Sequence, residues 1–278
     1  MKPFERGIYL LPNLMTTIAL FAGFYAVIAG MQGHFKAGAI AIFVAMIFDG
    51  LDGRVARMTN SSSAFGAEYD SLSDMVSFGL APALLLYQWA LQDFDKLGWI
   101  VAFVYTVAAA LRLARFNTQV GVADKRYFQG LPSPAAAALL AGMVWMVESN
   151  GLDTGLEAIV ALILTLFTGI MMVSNVRYSS FKELNLKGKV PFLTLLIVVS
   201  VLVIITIKPS IFLFLIFISY AISGPVMTLL GLKKTRSLRR SKRANNEESS
   251  VEEGLSTDDS KVELSNVESA SLDGKEKV

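Results

Sequence analysis

The chain has 278 residues, 54% of them hydrophobic and 17% charged, with a formal net charge of +2 and no cysteine. Ordinary soluble domains are roughly 45–50% apolar and about 25% charged, so this composition excludes a conventional soluble enzyme. The missing cysteines exclude a disulfide framework, a thiolate metal site and a thiol nucleophile.

A bilayer core takes about 20 consecutive mainly apolar residues per helix. Runs of that kind fall, in chain order, at 8–31, 36–58, 67–92, 97–115, 132–149, 154–174, 190–207 and 209–231. They predict an all-α, polytopic membrane bundle of about eight transmembrane helices over residues 1–231. The first run follows Lys2 and Arg6 but no small-x-small cleavage site follows it, so it is expected to be retained. Lys and Arg accumulate in alternate connections: Lys2 and Arg6, Arg54 and Arg57, then Arg112, Arg115, Lys125 and Arg126, then Arg177, Lys182, Lys187 and Lys189. The opposite connections carry only Lys36, Lys96 and Lys208. Positive charge favours the cytoplasmic side, which predicts an inner-membrane protein with both termini cytoplasmic.

Residues 232–278 change from a Lys and Arg cluster to a Ser, Asp and Glu-rich stretch. Such a segment cannot bury enough apolar surface to fold, and a disordered cytoplasmic tail without catalytic role is expected. No dinucleotide or Walker fingerprint appears, and no nucleic-acid partner is expected.

Within the apolar runs lie Asp49, Asp52, Gly53, Ala56 and Arg57, then Gly66, Asp70 and Asp74. Intervals of three and four residues put each set on one helix face. The short link through Asn60 to Ser63 predicts antiparallel neighbours, so four carboxylates converge at the cytoplasmic ends of two helices. A carboxylate at the bilayer centre costs about 2.5–3.5 kcal/mol on insertion scales, and like charges repel. A cation is therefore implied. Hard oxygen donors without His or Cys point to Mg²⁺ or Mn²⁺, and two such ions suit displacement at phosphorus. The small residues Gly53, Ala56 and Gly66 suit either close helix packing or the approach of a base or pyrophosphate. A proton or cation pathway also places acids inside a membrane bundle, although transporters tend to site them near the midplane.

Written as D-x2-D-G-x2-A-R-x8-G-x3-D-x3-D, the segment from Asp49 to Asp74 has eight specified positions and resembles the signature of the CDP-alcohol phosphotransferase family. Three further segments resemble the membrane-type phosphatidylserine synthase branch: Arg112 to Asn117, Phe128 to Ala137, and Met172 to Lys182. So does Leu11-Pro12-Asn13-Leu14-Met15-Thr16. The resemblance implies transfer of a phosphatidyl group from CDP-diacylglycerol to L-serine, with release of CMP. Glycerol 3-phosphate or inositol phosphate are alternative acceptors for the same chemistry, and a cation transporter is the alternative of another class. The resemblance further implies that Asp49, Asp52, Asp70 and Asp74 hold metal, that Asp70 and Asp74 are catalytic, and that Asp74 is the general base. Gly53, Ala56 and Gly66 would border the nucleotide, with Arg57 holding its phosphates or orienting a carboxylate; Asn13 and Thr16 are expected either to touch the nucleotide or to bond between helices. A homodimer is a further implication.

A serine acceptor carries a carboxylate that suits a guanidinium fork. Arg115, Asn117, Ser174, Arg177 and Lys182 are the acceptor-site candidates, with Arg115 or Arg177 as the fork. Charge bias alone would also place basic residues there. Ser133, between Pro132 and Pro134, is expected to cap a helix. Trp89, Trp99, Tyr87 and Tyr178 are expected in an interfacial aromatic belt, and His34 on the external side is expected to be non-catalytic.

Overall fold

A computed structural model describes residues 3–118, 127–152, 155–179, 196, 200 and 206–228, with side chains from residue 11 onward except at 127, 128, 177 and 179. Lys2, Lys125, Arg126, Lys182, Lys187 and Lys189, most of the run at 190–207 and the tail after Thr228 lie outside the described residues.

The architecture is helical. The elements are α1 (Pro3–Met31), α2 (Phe35–Met58), α3 (Ala64–Asp74), a π-helical turn (Met75–Leu80), α4 (Ala81–Trp89), a 3₁₀ turn (Leu91–Phe94), α5 (Asp95–Thr118), β1 (Tyr127–Gln129), α6 (Ser133–Asn150), α7 (Glu157–Val173) and β2 (Arg177–Ser179). A further helix, α8, covers Pro209–Thr228. Among the described residues, three segments are long and apolar enough to cross a membrane: Leu11–Met31, Leu91–Thr118 and Pro209–Thr228. Large apolar side chains stand exposed along them, including Phe21, Phe24, Phe103, Val107, Leu215 and Ile222. Soluble monomers rarely expose apolar patches of this extent, whereas hydrocarbon solvates them.

Small residues set how closely the helices approach. Ala19, Ala22, Ala26 and Ala29 recur at helical spacing on α1 and are buried, with Ala22 and Ala26 in one core cluster with Ala39, Ile42 and Ala45 of α2. At Gly38 a Cβ would lie 3.1 Å from the Ala26 carbonyl, so the α1–α2 seam admits no side chain there. Between these helices the chain turns at Gly33, whose φ of +76° is a conformation that glycine adopts without steric cost. The His34 N–H then bonds the Ala29 carbonyl at 2.8 Å.

Helix α6 lies at the centre. Ala135 to Val144 are buried on every side, as expected of a helix that is apolar all round. It stops at Gly151, which takes a left-handed φ of +58°. At its other end β1 and β2 form an antiparallel ribbon with Phe128 opposite Tyr178. The Gly130 N–H donates to Val176 O at 2.8 Å and the Leu131 N–H to Met171 O at 3.0 Å, which fastens the start of α6 to the end of α7.

Tyr178 departs from the expected aromatic belt. It is fully buried, its hydroxyl donates to the Ala221 carbonyl at 2.9 Å, and its ring lies over Gly224 of α8. Its function in the fold is therefore to dock α8 on the ribbon.

Candidate active site

The site forms where α1, α2 and the continuous helix α3–π–α4 meet. Ser63 starts α3 by accepting from the Gly66 N–H at 3.0 Å, a side-chain cap that satisfies one of the orphan donors of a helix start. Two adjacent rows then run along α3. The first bonds it to α1: Tyr69 pairs with Thr17 Oγ1 at 2.9 Å, Ser73 Oγ donates to Thr16 O at 3.3 Å and Ser77 Oγ donates to Ala19 O at 3.2 Å. Gly23 makes room for Ser77, since a Cβ there would collide with its hydroxyl. The second row is Gly66, Asp70 and Asp74, turned toward Asp49 of α2.

Helix α3 packs its backbone mainly against α1, so α2 and α3 meet through side chains rather than as the closely paired neighbours that the short link suggested. The result is a space between the two helices. Carboxylate oxygens of Asp49, Asp70 and Asp74 fill it, all within 4.8 Å of one another. Among the described residues, Oδ1 of Asp70 and Oδ1 of Asp74 are buried and have no hydrogen-bond partner. Buried polar atoms in folded proteins are ordinarily satisfied, so these two oxygens require something that the described residues do not supply. A divalent cation with hard oxygen ligands fits that requirement.

Asp52 lies outside this triad but adjoins it, next to Asp70. It is buried, its Oδ2 accepts from Thr16 Oγ1 at 2.7 Å, and it interacts electrostatically with Arg57. The Arg57 guanidinium lies over Gly53, where an added Cβ would sit 3.5 Å from Nη1. Asn13 Oδ1 and Ser63 Oγ occupy the corresponding space at Gly66, 3.3 and 3.1 Å from an added Cβ. Both glycines thus have polar side chains against their bare faces. Ala56, one turn beyond Asp52, is partly buried.

The acceptor-site candidates are more scattered. Asn117 Nδ2 donates to Ser71 Oγ at 3.0 Å, next to Asp70 in sequence. Arg115 Nη1 reaches Asn175 Oδ1 at 3.5 Å. Ser174 is engaged locally, donating to Met171 O at 2.8 Å and accepting from the Val176 N–H at 3.4 Å. Arg177 pairs through its backbone with Gln129, while its side chain, and all of Lys182, lie outside the described residues. Ser133 does not cap α6: the cap position is Pro132, and the Ser133 hydroxyl instead accepts from Arg112 Nη1 at 2.6 Å.

Two features of the site escaped the sequence. Arg112 is directed into the bundle, beside Asp74, whereas in the sequence charge bias and acceptor binding account equally for the basic residues of this connection and do not single it out. The π-helical turn begins at Met75, immediately after Asp74. Such turns are rare and concentrate at functional sites, but no residue pattern announces them.

Apolar, bilayer-length helices, together with buried carboxylates gathered from α2 and α3, define a membrane-associated, metal-competent class of protein. Residues 9–174 match the family model for CDP-alcohol phosphatidyltransferase, and the chain belongs to that family. A CDP-diacylglycerol–serine O-phosphatidyltransferase of Helicobacter pylori is 36% identical over 189 residues, covering 68% of this chain and 80% of the relative. One of Methanocaldococcus jannaschii is 38% identical over 166 residues, 59% of this chain and 75% of the relative. An archaetidylserine synthase of Methanothermobacter thermautotrophicus is 33% identical over 170 residues, 60% of this chain and 69% of the relative.

Proposed function

We propose that the chain transfers the phosphatidyl group of CDP-diacylglycerol to the hydroxyl of L-serine, giving phosphatidylserine and CMP. The observation that carries the reading is the pair of unpartnered oxygens on Asp70 and Asp74, inside a triad with Asp49, in a chain of this family. The names of the relatives support serine as the acceptor.

Asp49, Asp70 and Asp74, with Asp52 beside them, would hold Mg²⁺ or Mn²⁺, in the two-ion arrangement usual for displacement at phosphorus. Bound there, the metal supplies charge neutralisation for the pyrophosphate and the departing CMP. Asp74 takes the proton from the serine hydroxyl as the new P–O bond forms, because an alcohol is a poor nucleophile at neutral pH without a positioned base. The bond broken joins the lipid phosphorus to the oxygen of CMP. Gly53, Ala56 and Gly66 leave a low surface for the cytidine and ribose. Asn13 borders that surface, Thr16 orients Asp52, and Arg57 balances Asp52 and the phosphates. Arg115, Asn117, Ser174, Arg177 and Lys182 are assigned to binding of the acceptor.

In this reading residues 1–231 form about eight spans of the inner membrane, with both termini and the aspartates cytoplasmic and an opening toward the lipid for the acyl chains. Residues 232–278 form a separate cytoplasmic tail, and the working unit is a homodimer.

The test is purified protein with CDP-diacylglycerol and Mn²⁺ or Mg²⁺, offered serine, glycerol 3-phosphate or inositol phosphate, with CMP release followed. Release that depends on serine is expected. Release with glycerol 3-phosphate or inositol phosphate alone would move the acceptor assignment, and no release with any acceptor would refute the transferase in favour of a cation pathway.

A further inference from the structure

The π-helical turn Met75–Leu80 follows directly on Asp74 and joins two segments that are anchored separately. On its N-terminal side α3 is bonded to α1 through Tyr69 and Ser73. On its C-terminal side Leu85 and Leu86 of α4 are fully buried, with the Leu85 side chain over Gly30 and Gly38. An α-helix turns about 100° per residue. Exchanging the wide turn for an α-helical one would swing the row of Asp70 and Asp74 by about that angle relative to the core contacts of α4. The turn therefore sets which way Asp74 faces.

In an α-helix the donor to the Phe78 carbonyl would be the N–H of residue 82, but that residue is Pro82, which has none. Tyr105 of α5 supplies the donor instead. Its hydroxyl donates to Phe78 O at 2.9 Å, and Tyr105 and Phe78 are both fully buried. One residue further along, Thr106 Oγ1 donates to Gly79 O at 3.5 Å. Gly79 lets α5 come this close, since an added Cβ there would lie 3.2 Å from the Ala109 methyl. Helix α7 seats α5 in turn: an added Cβ at Gly169 would lie 3.4 Å from the Tyr105 Cα.

We infer that Tyr105 is a positioning residue: by holding the Phe78 carbonyl, its hydroxyl keeps the π-helical turn in the register that aims Asp74 at Asp49 and Asp70. The inference rests on the proposed transfer, in which Asp74 is the base, and extends it to a residue of α5 outside the acid cluster. Misplacing a catalytic group by about 1 Å can cost about 10²-fold in rate, so a single buried hydroxyl on a neighbouring helix is enough to matter.

The test compares wild type with Tyr105→Phe, which keeps the ring and deletes the donor. In the variant kcat for serine transfer should fall at least fivefold, with KM for serine and for CDP-diacylglycerol within threefold of wild type. The Kd for Mn²⁺ without substrate, read from the electron paramagnetic resonance signal of the free ion, should rise at least fivefold. A fall in Tm with either kcat or the Mn²⁺ Kd changed by less than fivefold, measured well below Tm, overturns the inference, as does a defect confined to either KM. In Tyr105→Phe/Pro82→Ala the added N–H can serve the Phe78 carbonyl, but as an α-helical bond. The double variant should remain impaired in both kcat and Mn²⁺ binding; a return of either to less than fivefold from wild type overturns the inference, because any donor would then suffice. If Tyr105→Phe does not fold, the double variant is measured in its place against the same thresholds. Wild type without serine turnover refutes the transfer and this role together, whereas normal wild-type turnover with an unaltered Tyr105→Phe refutes the role alone.

Discussion

The Thr16 hydroxyl donates to Asp52 Oδ2 at 2.7 Å, joining the first helix to the carboxylate that stands outside the Asp49–Asp70–Asp74 triad. Thr16 and Asp52 are both buried, so water cannot replace the bond if it is removed. Thr16→Val keeps the shape and deletes the donor. Loss of a hydrogen bond to a buried charged group costs about 1.5–3 kcal/mol, and loss of a residue that orients a ligand weakens metal binding by about 10–100-fold. The Mn²⁺ concentration for half-maximal turnover should rise within that range, and Thr16→Ser should restore most of it.

The triad itself gives a prediction with a change of sign. Three carboxylates whose oxygens lie within 4.8 Å of one another repel when no cation is present. In chelator, Asp70→Asn should therefore match or exceed the thermal stability of wild type. With saturating Mn²⁺ or Mg²⁺ the order should reverse, because a ligand at 100 times its Kd stabilises the folded state by about 2.7 kcal/mol and the variant forfeits that gain. Thermal unfolding in detergent, with and without metal, measures both arms.

At Gly130 two constraints coincide. Its φ is +79°, and an added Cβ would collide with the Met172 carbonyl. Gly130→Ala should cost at least about 1–3 kcal/mol, the usual penalty for a non-glycine residue held in the left-handed region. A fall in Tm should accompany it, since the bonds from Gly130 and Leu131 to the end of α7 sit at this turn.

Gly224 predicts how α8 is held. Any side chain there would enter the Tyr178 ring, whose hydroxyl bonds Ala221 O. Gly224→Val should destabilise by about 1–3 kcal/mol, as overpacking of a buried contact does. Tyr178→Phe should lose only about 1 kcal/mol, the net value of one neutral hydrogen bond. Thermal unfolding separates the two.

The parts of this site that depend on spacing within one helix were legible in the sequence. Asp70 and Asp74 are four residues apart, and Asp49 and Asp52 three, so each pair had to share a face. What depended on how two distant helices slide past one another was not legible. Arg112 is a basic residue in a basic connection until the bonds from Tyr105 to Phe78 and from Asn117 to Ser71 fix the register of α5 on α3. The same holds for Tyr178, which has the composition of a belt residue and the position of a core one. Ser133 had the flanking prolines of a cap, but the proximity of a guanidinium redirected its hydroxyl. The π-helical turn after Asp74 adds a residue to one helical turn without any local sequence requirement.

The central claim is that Asp74 takes the acceptor's proton in a transfer from CDP-diacylglycerol to serine. It is tested most directly by the incorporation of labelled serine into extracted lipid by wild type and by Asp74→Asn, a substitution that preserves size and removes the base. Wild type should form labelled phosphatidylserine with Mn²⁺ or Mg²⁺, and the variant, folded to the same degree, should be slower by about 10²–10⁴-fold, the range that a positioned general base contributes. Incorporation by Asp74→Asn within tenfold of wild type would contradict the account.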